Sequence, residues 1–224
     1  MAIGKTAGCL ILAGAAWASA AQFTVRHEHW RKGCEGVMTI DENGVAFSAR
    51  KGSGPKDHAW TWSFQDIQQL QLAPRRIHIL TYKDSKIRLG ADVGYEFTGD
   101  IPAGGLYALL RDRMDQRFVA QLEPAGQPLG LPALTLPVKH QARILGSEGA
   151  LAFTPDSIVY ATPAKNQSRT WRYQDIDSIS SSGRFQLTIV TLEKGFNFQL
   201  KQPITEASYN QLWLEIEKKN GRIQ

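Results

Sequence analysis

The chain has 224 residues, of which 42% are hydrophobic and 21% are charged. It is long enough and apolar enough for two domains of about 100 residues, each with its own buried core. The formal net charge is +5, but acidic and basic residues are interspersed along the chain. Because a nucleic-acid-binding protein usually concentrates its basic residues on one face, we expect no nucleic acid partner.

The first twenty residues have the pattern of a cleaved signal peptide. Lys5 supplies a positive start, an apolar run follows from Ala7 to Trp17, and residues 18–20 form an Ala-x-Ala cleavage signal. We therefore expect cleavage after residue 20 and an exported protein, either periplasmic or secreted. Cys34 is then the only cysteine, which excludes an internal disulfide. Its expected role is a small, half-buried residue beside a turn, with oxidation or pairing to another chain as alternatives.

A six-residue pattern occurs twice, with 109 residues between equivalent positions. The pattern is Trp-x-[Phe/Tyr]-Gln-Asp-Ile. The residues for which we predict a structural role are Trp62, Phe64, Asp66 and Ile67 in the first copy, and Trp171, Tyr173, Asp175 and Ile176 in the second. An earlier block matches at an offset of 113, including His27 with His140 and Phe47 with Tyr160. The extra residues of the first copy fall in the Gly/Pro-rich loop 50–57, where insertions are tolerated. We infer an internal duplication.

Alternation within the repeat predicts a β-strand. Trp60, Trp62 and Phe64 share one face of such a strand, and this aromatic face is expected to be core. Arg172, between the aromatic residues of the second copy, is expected on the outside. A ligand-stacking role for Trp60 or Trp62 is the alternative. The aspartate of each copy is interpreted as a local cap, because Asp accepts hydrogen bonds from nearby backbone N–H groups.

The repeat predicts four parts: a signal peptide at 1–20, a first domain at 21–120, a linker at 121–136 and a second domain at 137–224. Each domain reads as about seven short antiparallel strands followed by one helix. The linker is rich in proline and leucine, so we expect it to pack along the domain surfaces. A free flexible linker is the alternative.

Capping residues and helical spacing locate the two helices. Asp100 is the predicted N-cap of the first helix, and Thr205 is that of the second. The predicted buried stripe of the second helix consists of Tyr209, Leu212, Trp213 and Ile216.

This arrangement resembles the pleckstrin-homology-like (PH-like) superfamily, including its bacterial and GRAM-type members. The resemblance rests on the order of strands and helix, on the [Phe/Tyr]-x-Asp-Ile segment before a strand, and on Trp213 in the middle of the last helix. It implies a mainly β (α+β) fold with two small β-barrels or sandwiches, each closed at one end by its C-terminal helix. It also implies binding of lipid headgroups, peptides or proteins, with catalysis rare.

Histidines and a cysteine form the sharpest candidate site. His27 and His29 lie two residues apart, so on a strand both imidazoles point to the same face. Cys34 and His58 follow, and such a set suits zinc or copper. However, His27 recurs as His140 whereas the others have no counterparts, which favours a shared structural hydrogen bond. We therefore predict no metal, and keep a small metal-binding protein as the second alternative.

Basic residues in exposed loops form the other candidate surface, for a protein partner or for anionic headgroups. Its members are Arg31, Lys32, Arg50, Lys51, Lys56, Arg75 and Arg76. The alternative interpretation is ordinary loop charge in contact with water.

Catalytic motifs are absent from the sequence: it has no Gly-x-Ser-x-Gly elbow, His-Glu-x-x-His motif, Gly-x-Gly-x-x-Gly loop or P-loop. We therefore expect neither catalytic residues nor a cofactor. The leading hypothesis is an exported, non-enzymatic binding or scaffold protein whose two PH-like domains engage a protein or peptide partner. The partner is expected in the grooves between strands and helix, or at exposed sheet edges. The first alternative is peripheral binding to the envelope membrane through the basic loops.

Overall fold

The computed structural model describes residues 20–28, 33–54, 58–86, 89–123, 134–142 and 146–223. These residues form fifteen β-strands, two α-helices and two 3-10 turns, so the prediction of a mainly β fold is confirmed. Residues 1–19 of the predicted signal peptide and 124–133 of the predicted linker lie outside this range. The domain boundaries and the duplication stay predictions. In the described part of the chain, no helix combines the length and apolar composition of a membrane span.

Each half of the chain forms a run of strands followed by a helix. The first half contains β1 (Ala21–His27), β2 (Cys34–Ile40), β3 (Gly44–Ala49), β4 (Ala59–Ser63), β5 (Ile67–Ala73), β6 (Arg76–Asp84), β7 (Asp92–Gly99), α1 (Ala103–Leu110) and β8 (Phe118–Ala120). The second half contains β9 (Leu134–Gln141), β10 (Ser147–Phe153), β11 (Ser157–Ala161), β12 (Arg169–Arg172), β13 (Ile176–Ser180), β14 (Gln186–Thr191), β15 (Gly195–Leu200) and α2 (Glu206–Lys219). The 3-10 turns are Phe64–Asp66 and Tyr173–Asp175.

The strands form one open sheet in which the second half repeats the strand order of the first. The order is β13-β14-β15-β9-β10-β11-β12-β8-β5-β6-β7-β1-β2-β3-β4. Strand β8 lies between the two sets, parallel to β5 and antiparallel to β12. Each half encloses its own cluster of buried apolar side chains. Backbone hydrogen bonds through β8 therefore connect two separately packed cores.

The repeated motif forms the same corner in both halves. Its buried members are Trp62, Ile67, Trp171, Tyr173 and Ile176, and Phe64 is half-buried. Asp66 Oδ2 accepts a hydrogen bond from Ser63 N at 3.0 Å. Asp175 Oδ2 likewise accepts one from Arg172 N at 3.1 Å. Each carboxylate thus holds the backbone at the bend between two strands.

Glycine is required at one repeated position because an aromatic ring crosses it. A Cβ on Gly36 would lie 2.6 Å from Phe47 Cε2, and a Cβ on Gly149 would lie 2.9 Å from Tyr160 Cε2. Carbonyl oxygens of the neighbouring strand would be closer still, at 2.3 Å and 2.1 Å. Any larger residue would push the two strands of either hairpin apart.

Arg172 is buried, with 5% of its surface exposed, so the prediction that it lies outside is wrong. Its guanidinium donates to the carbonyl oxygens of Arg111, Met114 and Asp115, all of which follow α1. Strand β8 pairs with β12 close by. The first half of the chain therefore covers the outer face of β12, and alternation within one strand does not predict such a contact.

The two helix starts were predicted with different success. Helix α1 begins at Ala103 with Pro102 in the N-cap position, so Asp100 is not its cap. The Ala103 N–H is already bonded to the carbonyl oxygen of Ile101 in a tight turn, which separates Asp100 from the helix. For α2 the predicted cap is confirmed, because the Thr205 side chain accepts from the Ser208 N–H.

Trp213 is 40% exposed, so its assignment to the buried stripe of α2 is wrong. Leu212 and Ile216 are the buried residues of this helix, and Tyr209 is half-buried. Trp213 lies about 100° around the helix from Leu212, at the margin of the buried face.

Candidate functional site

A groove of about 390 Å³ lies between α2 and the strands of the second half. Its walls come from the start of β9, the β10–β11 turn, the motif corner and one face of α2. The lining residues are Leu134, Phe153, Thr154, Pro155, Tyr173, Ile204, Ser208, Gln211, Leu212 and Glu215. Most of these side chains are apolar, and the polar ones belong mainly to the exposed side of α2. The groove therefore offers an apolar floor below a polar rim.

The polar atom of the groove floor is already satisfied within the protein. The Tyr173 hydroxyl donates to the carbonyl oxygen of Thr154. Burial, together with the negative charges of Glu215 and Asp156, raises the pKa of Tyr173 to about 12. The hydroxyl consequently stays protonated and keeps its hydrogen bond. A molecule in the groove can thus bury apolar groups here without breaking a bond of the floor.

The rim of the groove carries an acidic group. Glu215 lines the groove, and among the described residues it forms no ion pair. At the other end of the rim, the Ser208 hydroxyl is hydrogen-bonded to the Thr205 hydroxyl at 2.8 Å. Gln211 lies between them and is exposed. Glu215 gives this surface a negative charge beside an apolar floor.

The sequence predicted a binding groove between strands and helix, but it did not identify the residues that line this one. Glu215 is a polar position on an amphipathic helix, which carries no signal by itself. The groove arises because residues separated by up to about eighty positions meet around α2, so only the tertiary structure shows it.

Three of the four predicted metal-ligand candidates lie together in the first half. Cys34 Sγ is 3.9 Å from His27 Nδ1 and 4.0 Å from His58 Nδ1. His27 and Cys34 are buried, while His58 is half-buried. Burial raises the pKa of the Cys34 thiol, so its neutral form is favoured at neutral pH. The fourth candidate, His29, lies outside the described residues.

The histidine shared by the two halves has a common environment of aromatic rings. The His27 ring lies 5.1 Å from that of Phe97, and the His140 ring lies 5.3 Å from that of Phe198. Within the described part of the chain, His140 Nδ1 is buried and has no hydrogen-bond partner. Ring packing is therefore what the two histidines have in common, whereas the 3.9 Å contact of His27 Nδ1 with Cys34 Sγ belongs to the first half.

Some of the described residues of the basic surface form ion pairs or hydrogen bonds within the protein. Arg50 forms an ion pair with Glu35 at 3.6 Å. Arg76 approaches Glu96 at 4.0 Å and donates to Gln121 at 3.0 Å. Arg50, Lys51 and Arg75 are exposed and Arg76 is half-buried, whereas Arg31, Lys32 and Lys56 lie outside the described residues. Nearby carboxylates thus reduce the positive charge that this surface can present to an anion.

No protein-family model matches the chain, and no curated protein matches it. Among solved structures, it is similar to the N-terminal PH domain of human ARAP2, at 14% identity and a TM-score of 0.30, over 45% of this chain and 87% of that one. It is also similar to the Spt16D Pob3N heterodimer, at 12% identity and a TM-score of 0.32, over 78% and 84% of the two chains.

A third similar structure is the C-terminal domain of an unknown protein from Leishmania infantum. The identity is 14% and the TM-score 0.31, over 38% of this chain and 82% of that one. The solved structures similar to this chain thus include a PH domain. At identities of 12% to 14% and TM-scores of 0.30 to 0.32, these similarities carry no argument about the fold or the function of this chain.

Proposed function

We propose that this protein is an exported, non-enzymatic binding protein with two tandem PH-like domains of the bacterial type. Its second domain binds an extended peptide segment of a protein partner in the groove beside α2. The observation that carries this proposal is the apolar groove itself, with its satisfied floor and its acidic rim. Export rests on the sequence of residues 1–20.

The chemistry of the groove specifies the occupant. An apolar floor lined by Phe153, Ile204 and Leu212 suits a large aliphatic or aromatic side chain. Glu215, at the rim, suits a lysine or arginine next to that side chain. A groove between a strand and a helix accommodates an extended backbone better than a compact ligand. The expected ligand is therefore a peptide that pairs one buried apolar side chain with a neighbouring basic one.

Membrane binding through the basic loops is less well supported. Arg50 and Arg76 both lie within 4.0 Å of a carboxylate, whereas headgroup binding needs uncompensated positive charge. The groove is acidic at its rim and would repel anionic lipid. Salt dependence separates the two functions: membrane binding through loop charges weakens steeply with salt, whereas burial of an apolar side chain does not.

The test is selection from a display library of random peptides on the purified protein, followed by fluorescence anisotropy with one enriched peptide. Enriched sequences are expected to pair an apolar residue with Lys or Arg. In the Ser208→Trp variant, the indole ring fills the groove. The affinity of the protein for the enriched peptide should therefore fall by about tenfold or more. The Glu215→Lys variant should also bind the enriched peptide more weakly. A new selection on this variant should enrich peptides that carry acidic residues.

Asn210→Trp is the matched control, because Asn210 is exposed on the same helix but does not line the groove. Equal losses in Ser208→Trp and Asn210→Trp would contradict binding in the groove. The chain also has its own apolar segment, residues 124–133, directly before Leu134. If peptides bind only after Leu129 and Leu131 are changed to serine, that segment is the occupant, and the proposal of an external peptide is wrong.

A further inference from the structure

We propose that His27, Cys34 and His58 bind one Cu⁺ ion, through two imidazole nitrogens and one thiolate. The ligand atoms of the three residues all lie within 4.8 Å of one another. Metal–sulfur and metal–nitrogen bonds of about 2.3 and 2.0–2.1 Å place sulfur and nitrogen about 3.6 to 3.8 Å apart around one ion. The two observed sulfur–nitrogen separations, 3.9 and 4.0 Å, lie close to this range.

Two strands and the residue before a third build this cluster. His27, at the end of β1, is paired in register with Cys34, at the start of β2. Their side chains therefore lie side by side on the same face. His58 directly precedes β4, which joins β2 through β3. A Cβ on Gly54 would lie only 2.6 Å from Cys34 Cβ, so Gly54 lies directly against the cysteine.

The surroundings of the cluster favour a monovalent ion. Cys34 has no exposed surface, and the His27 ring contacts Trp60 at 4.8 Å and Phe97 at 5.1 Å. Cu⁺ with one thiolate has no net charge, whereas Zn²⁺ with one thiolate leaves a charge of +1. An uncompensated charge is costly in such an apolar environment. A thiolate with two imidazoles is also a donor set soft enough for Cu⁺.

Binding of Cu⁺ to the cluster requires neither an oxidant nor a reductant. The S–H bond of Cys34 breaks, its proton goes to solvent, and the S–Cu bond forms. The copper ion arrives and remains as Cu⁺, so no electron is transferred.

The second half of the chain has different side chains at the equivalent positions. Cys34 corresponds to Ser147, and His58 corresponds to Gln167 at the offset of 109 residues that the Trp motif shows, with Ser168 as its neighbour. Ser147 Oγ is hydrogen-bonded to the Tyr160 hydroxyl at 2.8 Å, which satisfies that buried group within the protein. The first half has Phe47 in place of this tyrosine, so it lacks the hydroxyl and carries a thiol and an additional imidazole instead.

The experiment titrates Cu⁺ into the purified, reduced protein in competition with a chromogenic Cu⁺ chelator, with X-ray absorption of the complex. One equivalent of Cu⁺ is expected, with one sulfur and two nitrogen neighbours. Cys34→Ser and His58→Gln each introduce the residue that the second half uses. Each should weaken binding by about 100-fold or more. His140→Gln, at the position equivalent to His27, is the matched control and should leave binding unchanged.

Circular dichroism establishes whether each variant is folded. If Cys34→Ser does not fold, the test relies on His58→Gln, because His58 is only half-buried. The proposal is overturned if the protein does not compete for Cu⁺, or if binding survives both substitutions. It is also overturned if one equivalent of Zn²⁺ binds through these residues while Cu⁺ does not. The peptide groove lies in the other half of the chain, so neither result depends on the proposed function.

Discussion

Arg172 Nη1 donates a hydrogen bond to the carbonyl oxygen of Met114 at 3.0 Å, although the two residues lie 58 positions apart. The same guanidinium binds Asp175 through two bonds, with Nε–Oδ2 at 2.8 Å and Nη2–Oδ1 at 2.6 Å. One buried side chain therefore connects the repeated corner of the second half to the segment that follows α1. The two cores are therefore connected by this contact and by the pairing of β8 with β5 and β12.

Replacing Arg172 by alanine is expected to lower the free energy of unfolding by about 3–5 kcal/mol, because Asp175 would remain buried without its cation. The carbonyl oxygens after α1 would also lose their donor. Urea unfolding followed by tryptophan fluorescence measures the change. Ser63→Ala is the matched control at the equivalent, exposed corner of the first half, and should cost much less. Similar losses in the two variants would contradict the structural role of Arg172.

The repeated glycines provide a second prediction. Gly36→Ala and Gly149→Ala should each destabilise the protein by about 2 kcal/mol or more, because the new Cβ meets a carbonyl oxygen and an aromatic ring. Gly105 is exposed in α1, and nothing lies within 4 Å of a Cβ placed there. Gly105→Ala should therefore raise stability by about 0.5–1 kcal/mol. Thermal melts of the three variants measure these changes. Equal shifts of the melting temperature in all three would be inconsistent with the close contacts at Gly36 and Gly149.

Tyr160 and Ser147 form a buried hydroxyl pair, and the tyrosine also donates to the Ser147 carbonyl oxygen at 2.9 Å. Tyr160→Phe should cost about 1–2 kcal/mol, because the Ser147 hydroxyl loses its partner. The double variant with Ser147→Ala should cost less than the sum of the single variants. A double-mutant cycle in urea measures this coupling. Strict additivity would mean that the two hydroxyls do not interact.

Stability should fall in mild acid because of the buried His140 and the half-buried His78. Burial lowers the pKa of His140, and the positive charges of Lys194 and Arg169 lower it further. Burial also lowers the pKa of His78. The unfolded chain titrates at the ordinary value of 6.5, so below this pH it binds more protons than the folded protein. The free energy of unfolding therefore decreases as pH falls below 6.5, and levels off below the folded pKa values.

Urea midpoints measured from about pH 8 to about pH 5 test this dependence. His140→Gln should flatten the decrease, and His78→Gln should flatten it further. Titration of the histidine resonances by NMR measures the two pKa values directly. A wild-type profile that is unchanged in the double variant would show that these histidines do not cause the decrease.

The sequence predicted those features that depend on near neighbours. Alternation located the strand around Trp62, and the Thr205 cap of α2 was identified from its residue type and position. Asp100 failed as a cap because a tight turn at Ile101 delays the helix, and this turn has no clear sequence signal. Prediction of Trp213 as buried failed because helical spacing indicates which residues share a face but not how wide the buried part of that face is.

The candidate sites depended on contacts between distant residues. The sequence proposed His27, Cys34 and His58 as possible ligands, but could not show that they meet. They meet because β1 pairs with β2, and because β3 joins β2 to β4, which His58 directly precedes. For the groove beside α2, the sequence suggested a site between strands and helix but not the residues that line it, since these are ordinary apolar and helical positions.

By itself, the sequence determined the mainly β character, the strand corner with its capping aspartate, and the capped start of α2, because each depends on residues a few positions apart. The tertiary structure alone decided which outward faces are covered. Arg172 alternates as an outward residue, yet it is buried because β8 and the segment after α1 lie over β12. Burial is a property of what packs from elsewhere in the chain, and a local pattern contains no information about that neighbour.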